Sequence, residues 1–341
     1  MRMWFRPVKG IAFCIVAAFF GSQAMAQVQV KRSFPSAKRI SAFDNTTFCT
    51  AFLSDGSLLT IRDIPIVDLR DVDKIAFNPT GSSLALMRGK KPVSIYSFRD
   101  RNKKLFELKE QRKSKELKGR KNLNFFVPGP VGAELMKDAS KGDIVPVAMC
   151  YGADARNFLV SNSLGEIIVY DTKAYLPQAY IQGKAVATAI TMSPNNYFIA
   201  AGTGKNIDIW NFQTKELRTS LPMPAEVTEL VFSADASQMA VVTADKRLTI
   251  FDTKTWDKVD IFDKIGGTLT SPSFHPDGKY ISVVKDGKAI VIMNLKNSVP
   301  EQTLDENPGG VTGSRFFVNK QTSDVFMLSN RAKGLVFWDA N

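Results

Sequence analysis

Five segments of the chain decide its fold, because each is a short apolar run that ends in a bulky residue followed by Asp or Asn. They read Ile168-Val169-Tyr170-Asp171, Asp208-Ile209-Trp210-Asn211, Thr249-Ile250-Phe251-Asp252, Val291-Ile292-Met293-Asn294 and Val336-Phe337-Trp338-Asp339. Their bulky residues follow one another at spacings of 40, 41, 42 and 45 residues. A period of this length predicts a repeat architecture. Ser94-Ile95-Tyr96-Ser97 and the weaker Thr60-Ile61-Arg62-Asp63 extend the series to seven copies.

Each copy is accompanied by other strand-like runs. One repeat has Leu230-Val231-Phe232 as a first run, Met239–Thr243 as a second, Thr249–Asp252 as a third and Asp260-Ile261-Phe262 as a fourth. Turns rich in Gly, Asp and Ser separate the runs, and such turns between apolar segments are hairpin signals. Four short strands every ~40–45 residues are typical of the blades of a β-propeller.

These repeats resemble degenerate WD40 repeats over roughly residues 40–341, with Trp338-Asp339 as an intact pair and Trp210-Asn211 as a near match. They depart from that family because no Gly-His pair precedes any repeat. The resemblance implies an all-β fold, a seven-bladed β-propeller of four-stranded antiparallel blades. Without the histidine, we do not expect the family's buried Asp-His-Ser/Thr-Trp network.

The last repeat reaches Asn341 directly after its third strand, so its fourth strand must come from elsewhere. The stretch Val28, Val30, Arg32, Phe34 is placed to supply it. The sequence therefore predicts that an N-terminal strand closes the last blade, which removes exposed strand edges.

The N-terminus predicts export. Arg2, Arg6 and Lys9 precede an apolar run of eleven residues, Ile11–Gly21, which Ala24-Met25-Ala26 follows. This is the pattern of a cleaved signal peptide at residues 1–26, and the run is too short to span a bilayer as a helix. We expect an exported protein of bacterial type, periplasmic or secreted, whose propeller domain covers residues 27–341 and has no transmembrane span.

Charge is concentrated in one stretch. The chain carries a formal net charge of +12. Residues 99–121 contain eleven basic and four acidic residues and so contribute +7 to it. The repeat spacing predicts an insert of about residues 110–144 between the second and third blades. The resemblance to WD40 repeats implies that this connection lies on the face of the hairpins that join second and third strands. The candidate binding residues in this insert are Arg112, Lys113, Lys115, Lys118, Arg120, Lys121, Phe125 and Phe126. A solvated loop is the alternative interpretation.

Catalytic motifs are scarce. The single histidine, His275, lies in His-Pro-Asp-Gly and is predicted to be a surface turn residue. One histidine argues against His-based acid–base or zinc chemistry. Phe251-Asp252-Thr253-Lys254-Thr255-Trp256 faintly resembles the docking motif of quinoprotein propellers, but is interpreted as a turn between third and fourth strands. We predict no catalytic residue, no metal site and no cofactor.

The function favoured by the sequence is a non-enzymatic platform for protein–protein interaction or assembly, with the basic insert contacting an acidic partner. Anionic glycan or lipid surfaces are further candidates for the insert, whereas nucleic acid fits an exported protein poorly. Two alternatives stay open: a propeller enzyme of lactonase or hydrolase type, and a propeller that binds glycans or small ligands.

Overall fold

The computed structural model describes residues 29–34, 37–40, 50–53, 58–60, 72–80, 82–97, 104–108, 125–126, 144–245, 247–262, 265–305, 310–318, 325–331 and 334–340. All regular structure in these residues is β-strand. No helix in them is long and apolar enough to cross a bilayer.

The strands form seven sheets, numbered here in chain order. Strand β1 (Gln29–Phe34) belongs to the last of them. Sheet 1 consists of β2 (Ala37–Ile40), β3 (Thr50–Leu53) and β4 (Leu58–Thr60). Sheet 2 consists of β5 (Lys74–Phe77), β6 (Ser83–Met87), β7 (Val93–Ser97) and β8 (Lys104–Leu108). Sheet 3 consists of β9 (Phe125–Phe126), β10 (Pro146–Tyr151), β11 (Asn157–Asn162), β12 (Glu166–Asp171) and β13 (Pro177–Gln182).

Sheet 4 consists of β14 (Ala189–Met192), β15 (Phe198–Gly202), β16 (Asn206–Asn211) and β17 (Leu217–Pro222). Sheet 5 consists of β18 (Val227–Phe232), β19 (Gln238–Thr243), β20 (Leu248–Asp252) and β21 (Lys258–Ile261). Sheet 6 consists of β22 (Leu269–Phe274), β23 (Tyr280–Lys285), β24 (Ala289–Asn294) and β25 (Val299–Leu304). Sheet 7 consists of β26 (Val311–Val318), β27 (Val325–Arg331), β28 (Gly334–Asp339) and β1.

Neighbouring strands are antiparallel in every sheet except at β9, which pairs with β13 in parallel. The first strands of successive sheets contact one another in the order β5, β10, β14, β18, β22, β26, and β2 contacts β26. Such an order, with sheets standing side by side around their first strands, is consistent with a propeller. The segment predicted to complete the last sheet pairs with β28, with Val30 opposite Trp338 and Ser33 opposite Val336.

The core lies between facing sheets. One buried cluster joins Leu159 and Ile167 of sheet 3 to Ile199 and Trp210 of sheet 4. The third strands β12, β16, β20 and β24 have unbroken runs of four or five buried residues. Strands covered on both faces lose the alternation of apolar and polar residues, which explains the continuous apolar runs that mark the repeats.

In sheets 3 to 6, the Asp or Asn at the end of the third strand closes the turn to the fourth. In sheet 3, Asp171 Oδ1 accepts the N–H of Lys173 at 2.8 Å. In sheet 5, Asp252 Oδ1 accepts the N–H of Lys254 at 2.7 Å. A short side chain that bonds the backbone two residues on is an Asx turn. The segment at residues 251–256 is therefore the strand-to-strand turn that the sequence predicts.

A buried polar pair lies in sheet 7, where Trp338 Nε1 donates to Ser329 Oγ at 2.8 Å. The two residues meet because β27 and β28 are neighbouring strands.

Candidate functional site

The stretch predicted to form the basic insert, about residues 110–144, lies between β8 and β10 in the chain. Its six candidate cations, Arg112, Lys113, Lys115, Lys118, Arg120 and Lys121, lie outside the described residues. Phe125 and Phe126 are described as strand β9, with Phe125 opposite Tyr180 and Phe126 opposite Ile181 of β13. The open edge of an outermost strand offers unpaired backbone groups to a passing segment. This pair therefore lies along the outer edge of sheet 3.

We call the end of each sheet that carries the hairpin between its second and third strands the upper end, and the opposite end the lower end. The connections between sheets also lie at the upper end, because each fourth strand runs towards it. Hairpins and connections bond to each other there: Gly183 N–H donates to Gly165 O at 2.9 Å, and Val227 N–H donates to Gly204 O at 2.9 Å. The upper end is thus a surface of mutually braced loops.

Exposed cations cluster at the upper end of sheets 2 to 4. The residues of this basic sector are Arg88, which is half-buried, and the exposed Lys90, Lys91, Lys184 and Lys205. Lys90 and Lys91 lie in the hairpin of sheet 2, Lys205 in that of sheet 4, and Lys184 in the connection between sheets 3 and 4. Two described carboxylates lie at the same end of these sheets: Asp73, which accepts the Gly89 N–H, and the buried Glu166 at the start of β12.

Sheets 5 and 6 differ, because acidic and basic residues alternate at their upper ends. Glu226, Asp245 and Asp286 are exposed there beside Arg247 and Lys288. Asp286 Oδ1 accepts the Thr268 N–H at 2.7 Å, and this hydrogen bond holds the pKa of the Asp286 carboxyl below its ordinary value. Among the described residues, exposed cations therefore outnumber exposed carboxylates at the upper ends of sheets 2 to 4.

Lys74 ties three sheets together beneath the basic sector. Its Nζ, on the first strand of sheet 2, donates to Val147 O of sheet 3 at 2.9 Å and to Thr188 O at the start of sheet 4 at 3.2 Å. Thr188 Oγ1 in turn donates to Val227 O of sheet 5 at 3.3 Å. The sector is consequently carried on sheets that are fixed relative to one another.

Ser271 continues this bracing on the far side of the molecule. Its backbone N–H donates to Glu229 Oε1 of sheet 5 at 3.2 Å, and its Oγ donates to Ser314 O of sheet 7 at 3.1 Å. The residue lies at an irregularity of β22 and has a φ of 53°. A positive φ is costly for a residue with a Cβ, so the two inter-sheet bonds offset local strain.

His275 is not the surface turn residue that the sequence predicts. Its side chain is only 15% exposed and its Nδ1 lies 2.7 Å from Asp277 Oδ1. Nε2 lies 3.2 Å from Ala340 O, and the ring packs edge-on against Phe316 at 5.0 Å between centroids. Because the turn faces the next sheet, the imidazole fills the gap between sheets 6 and 7. In the described residues, no group of three or more His, Cys, Asp or Glu side chains is placed to hold a metal ion.

The basic sector was not predicted from the sequence. Its members are scattered over 118 positions of the chain, from Arg88 to Lys205, so no local charge run marks them. A signal existed in the sequence, since Lys205 follows Gly202-Thr203-Gly204 in the turn between the second and third strands of its repeat. Charges summed over equivalent turns, repeat by repeat, would have found the sector.

No protein-family model matches the chain. It is 27% identical over 141 residues to the WD repeat-containing protein SL1-17 of Schistosoma mansoni, covering 40% of this chain and 46% of that protein. It is 24% identical over 132 residues to the periodic tryptophan protein 2 homolog of Dictyostelium discoideum, covering 32% and 14%. It is 23% identical over 147 residues to echinoderm microtubule-associated protein-like 2 of Rattus norvegicus, covering 42% and 22%.

The chain thus spans less than half the length of each of these curated relatives. Their similarity and the four-stranded antiparallel sheets point to the same architecture, and together they support a WD40-type repeat fold for this protein.

Proposed function

We propose that the protein is an exported, non-enzymatic seven-bladed β-propeller that serves as a platform for protein–protein interaction, and that an acidic protein binds its basic insert and basic sector. The observation that carries this proposal is the concentration of cations at one end of three sheets, next to the connection that holds the insert. Rigid scaffolds with variable loops are where recognition concentrates.

The closed seven-bladed ring is supported by three observations. The described strands form seven sheets, and β1 supplies an outer strand to sheet 7. The first strands of sheets 2 to 7 contact one another in sequence order, and the first strand of sheet 1 contacts that of sheet 7. A closed ring holds the loops of its upper end at fixed distances, which a binding surface made from several loops needs.

Electrostatics favours an acidic protein as the partner. Cations on the insert and on the basic sector attract the same ligand, and such steering raises association rates and specificity more than affinity. Exposed charges are screened within about 8 Å at physiological ionic strength. Binding is therefore expected to weaken steeply with added salt.

The test replaces Arg112, Lys113, Lys115, Lys118, Arg120 and Lys121 with Gln. Immobilised wild-type protein and variant are incubated with an extract of the source cells at low salt, and bound proteins are quantified by mass spectrometry. We expect acidic proteins captured by the wild type to be lost by the variant. Capture of the same proteins in the same amounts would refute the proposal.

A matched control removes the same charge elsewhere. Six exposed cations at or near the lower end, Arg156, Lys173, Lys254, Lys258, Lys279 and Lys296, are replaced with Gln. This variant is expected to capture the acidic partner as the wild type does. Equal losses in both variants would mean that net charge, and not the upper end, governs capture.

Export is tested by determining the N-terminal residue of the native protein. The pattern at residues 1–26 supports cleavage after Ala26, so the protein recovered from the envelope or the medium is expected to begin at Gln27. An intact Met1 in the purified native protein would contradict export by this route.

A further inference from the structure

The outer strands of sheets 2 to 7 carry charged side chains in all but one case. At least one charged residue stands in each of β8, β17, β21, β25 and β1, whereas β13, the fourth strand of sheet 3, contains none. Charged residues on an outer strand discourage the addition of another strand. Strand β13 is also the strand with which β9 pairs. The uncharged outer strand is therefore the one that accepts a further strand.

A matched pair of positions shows the difference between sheets 3 and 4. Gln178 lies at the irregularity in the pairing of β12 with β13, and Arg218 lies at the corresponding irregularity in the pairing of β16 with β17. Both side chains are exposed. The outer edge of sheet 4 thus carries a cation at the position where sheet 3 has a neutral amide.

The backbone of β13 presents hydrogen-bonding groups to this edge. Gly183 N–H donates to Gly165 O at 2.9 Å directly beyond the paired residues of β12 and β13. Successive N–H groups of a strand point to opposite sides, so those of Tyr180 and Gln182 point away from β12, towards the outer edge. Strand β9 pairs with Tyr180 and Ile181, two of the six residues of β13. Much of this edge is consequently left for a longer strand.

The part of the edge beyond β9 adjoins exposed apolar surface. Leu176, directly before β13, is 63% exposed, and Leu105 of β8 in the preceding sheet is 39% exposed. The residues next to them, Tyr175 and Phe106, are in ring contact at 5.1 Å between centroids. The two leucines therefore flank the same contact between sheets 2 and 3, beside the start of β13.

We propose that the outer edge of β13 binds an extended, uncharged, apolar segment of a partner protein, which adds to sheet 3 as an outer strand. The segment seated there in the structure indicates the chemistry that the edge accepts, since residues 122–133 contain no Lys, Arg, Asp or Glu. Main-chain hydrogen bonds supply the affinity in binding of this kind. A partner segment that pairs along all of β13 makes more of them than β9 does, so β9 is an internal competitor that the partner displaces.

This site goes beyond the proposed function and is tested separately from it. The acidic partner is attracted by charge at the upper end of the sheets, whereas the uncharged segment binds the outer edge of sheet 3 through its main chain. Added salt should weaken the first interaction, because it screens exposed charges, and should leave the second nearly unchanged. Loss of either interaction alone therefore identifies which of the two proposals fails.

The probe is a peptide with the sequence of residues 122–127, labelled with a neutral dye, and its binding to the full chain is followed by fluorescence anisotropy. In the variant Phe125→Asp with Phe126→Asp, called here the released variant, charge disfavours the pairing of β9. We expect the released variant to bind the probe roughly tenfold more tightly than the wild type, because a tethered competitor acts at a millimolar effective concentration. Val131→Asp with Ala133→Asp places the same charge elsewhere in the insert and should leave the affinity of the wild type unchanged.

Hydrogen exchange locates the bound peptide. In the released variant, excess peptide should slow exchange at the Tyr180 and Gln182 amides. Ser220, which holds in β17 the position of Tyr180 in β13, should exchange at the same rate with and without peptide. Gln178→Arg, which gives β13 the charge that β17 carries, should remove most of the peptide affinity of the released variant.

Three results would each overturn the proposal. The first is the absence of peptide binding to the released variant, and the second is equal affinity of the released variant and the wild type. The third is protection of Ser220 together with Tyr180, which would show that the peptide adds to any outer strand.

Discussion

The indole Nε1 of Trp338 donates a 2.8 Å hydrogen bond to Oγ of Ser329 on the neighbouring strand. Both residues are buried, at 3% and 0% exposure. A buried donor and acceptor that satisfy each other contribute about 1 kcal/mol net, whereas a buried polar group that loses its partner costs about 1–3 kcal/mol. Replacement of Trp338 with Phe is therefore expected to lower the free energy of unfolding through both lost packing and the orphaned Ser329 hydroxyl.

Trp256 provides the matched comparison. It is also buried, but its Nε1 has no hydrogen-bond acceptor among the described residues. Replacement of Trp256 with Phe removes a similar volume without breaking a hydrogen bond, so we expect it to cost at least about 1 kcal/mol less than Trp338→Phe. Urea unfolding with an unchanged m value measures the difference. Equal costs would show that the Trp338 hydrogen bond adds nothing to stability.

A second prediction concerns the hydrogen bonds by which Lys74 of sheet 2 holds sheets 3 and 4. Lys74→Met keeps most of the apolar stem but removes the donor to Val147 O and Thr188 O, and hydrogen bonds to charged groups contribute about 1.5–3 kcal/mol. We expect a loss of stability in that range. Lys173→Met, at an exposed turn position, is expected to stay within about 0.5 kcal/mol of the wild type. A Lys74 variant as stable as the Lys173 variant would show that the bracing between sheets 2, 3 and 4 is not energetically important.

Much of the architecture could be predicted because buried strands require apolar runs, and these recur at spacings of 40 to 45 residues in the sequence. The third strands of sheets 3 to 6 are covered on both faces, and their continuous buried residues recur at a fixed spacing in the sequence. The pairing of Val30 with Trp338 was predictable for a related reason, since a missing outer strand must be supplied by some other segment.

Side-chain contacts between different repeats produce no periodic pattern in the sequence. The aromatic setting of His275 depends on Phe316, a residue 41 positions away in another sheet. The bond from Lys74 to Thr188 joins residues 114 positions apart. These contacts follow from how sheets stand side by side, which the strand pattern of a single repeat does not specify.

The hydrogen bonds of the Asp235 carboxylate are expected to make the free energy of unfolding depend on pH in the acid range. Burial alone would raise the pKa of its carboxyl, but hydrogen bonds from Ser233 Oγ at 2.6 Å and from the Ser237 N–H at 3.0 Å and Oγ at 2.8 Å outweigh burial and lower it. A lowered folded-state pKa stabilises the fold above the unfolded pKa, and that stabilisation is lost as pH falls through the folded pKa.

Asp235→Ala should therefore destabilise the protein at pH 7, by less than about 1 kcal/mol because the carboxylate is exposed. The gap between variant and wild type should shrink as the pH falls from about 5 to below the folded pKa. Asp257→Ala is the control, since Asp257 is exposed and no described residue bonds to its carboxylate. A gap for Asp235→Ala that is constant over this pH range would contradict the assigned hydrogen bonds.

Closure of the ring is tested by removal of its last strand. Strand β1 forms one edge of sheet 7 and pairs with β28 from Gln29 opposite Asp339 to Phe34 opposite Leu335. Deletion of residues 27–36 leaves that sheet with three strands and an exposed edge. We expect Tm to fall by several degrees, since about 1 kcal/mol corresponds to about 2–4 °C in a domain of 150–250 residues. Hydrogen exchange should accelerate at the β28 amides around Val336 and Trp338 but not at those of β16 in sheet 4. An unchanged Tm with unchanged protection of β28 would mean that the N-terminal strand does not close the propeller.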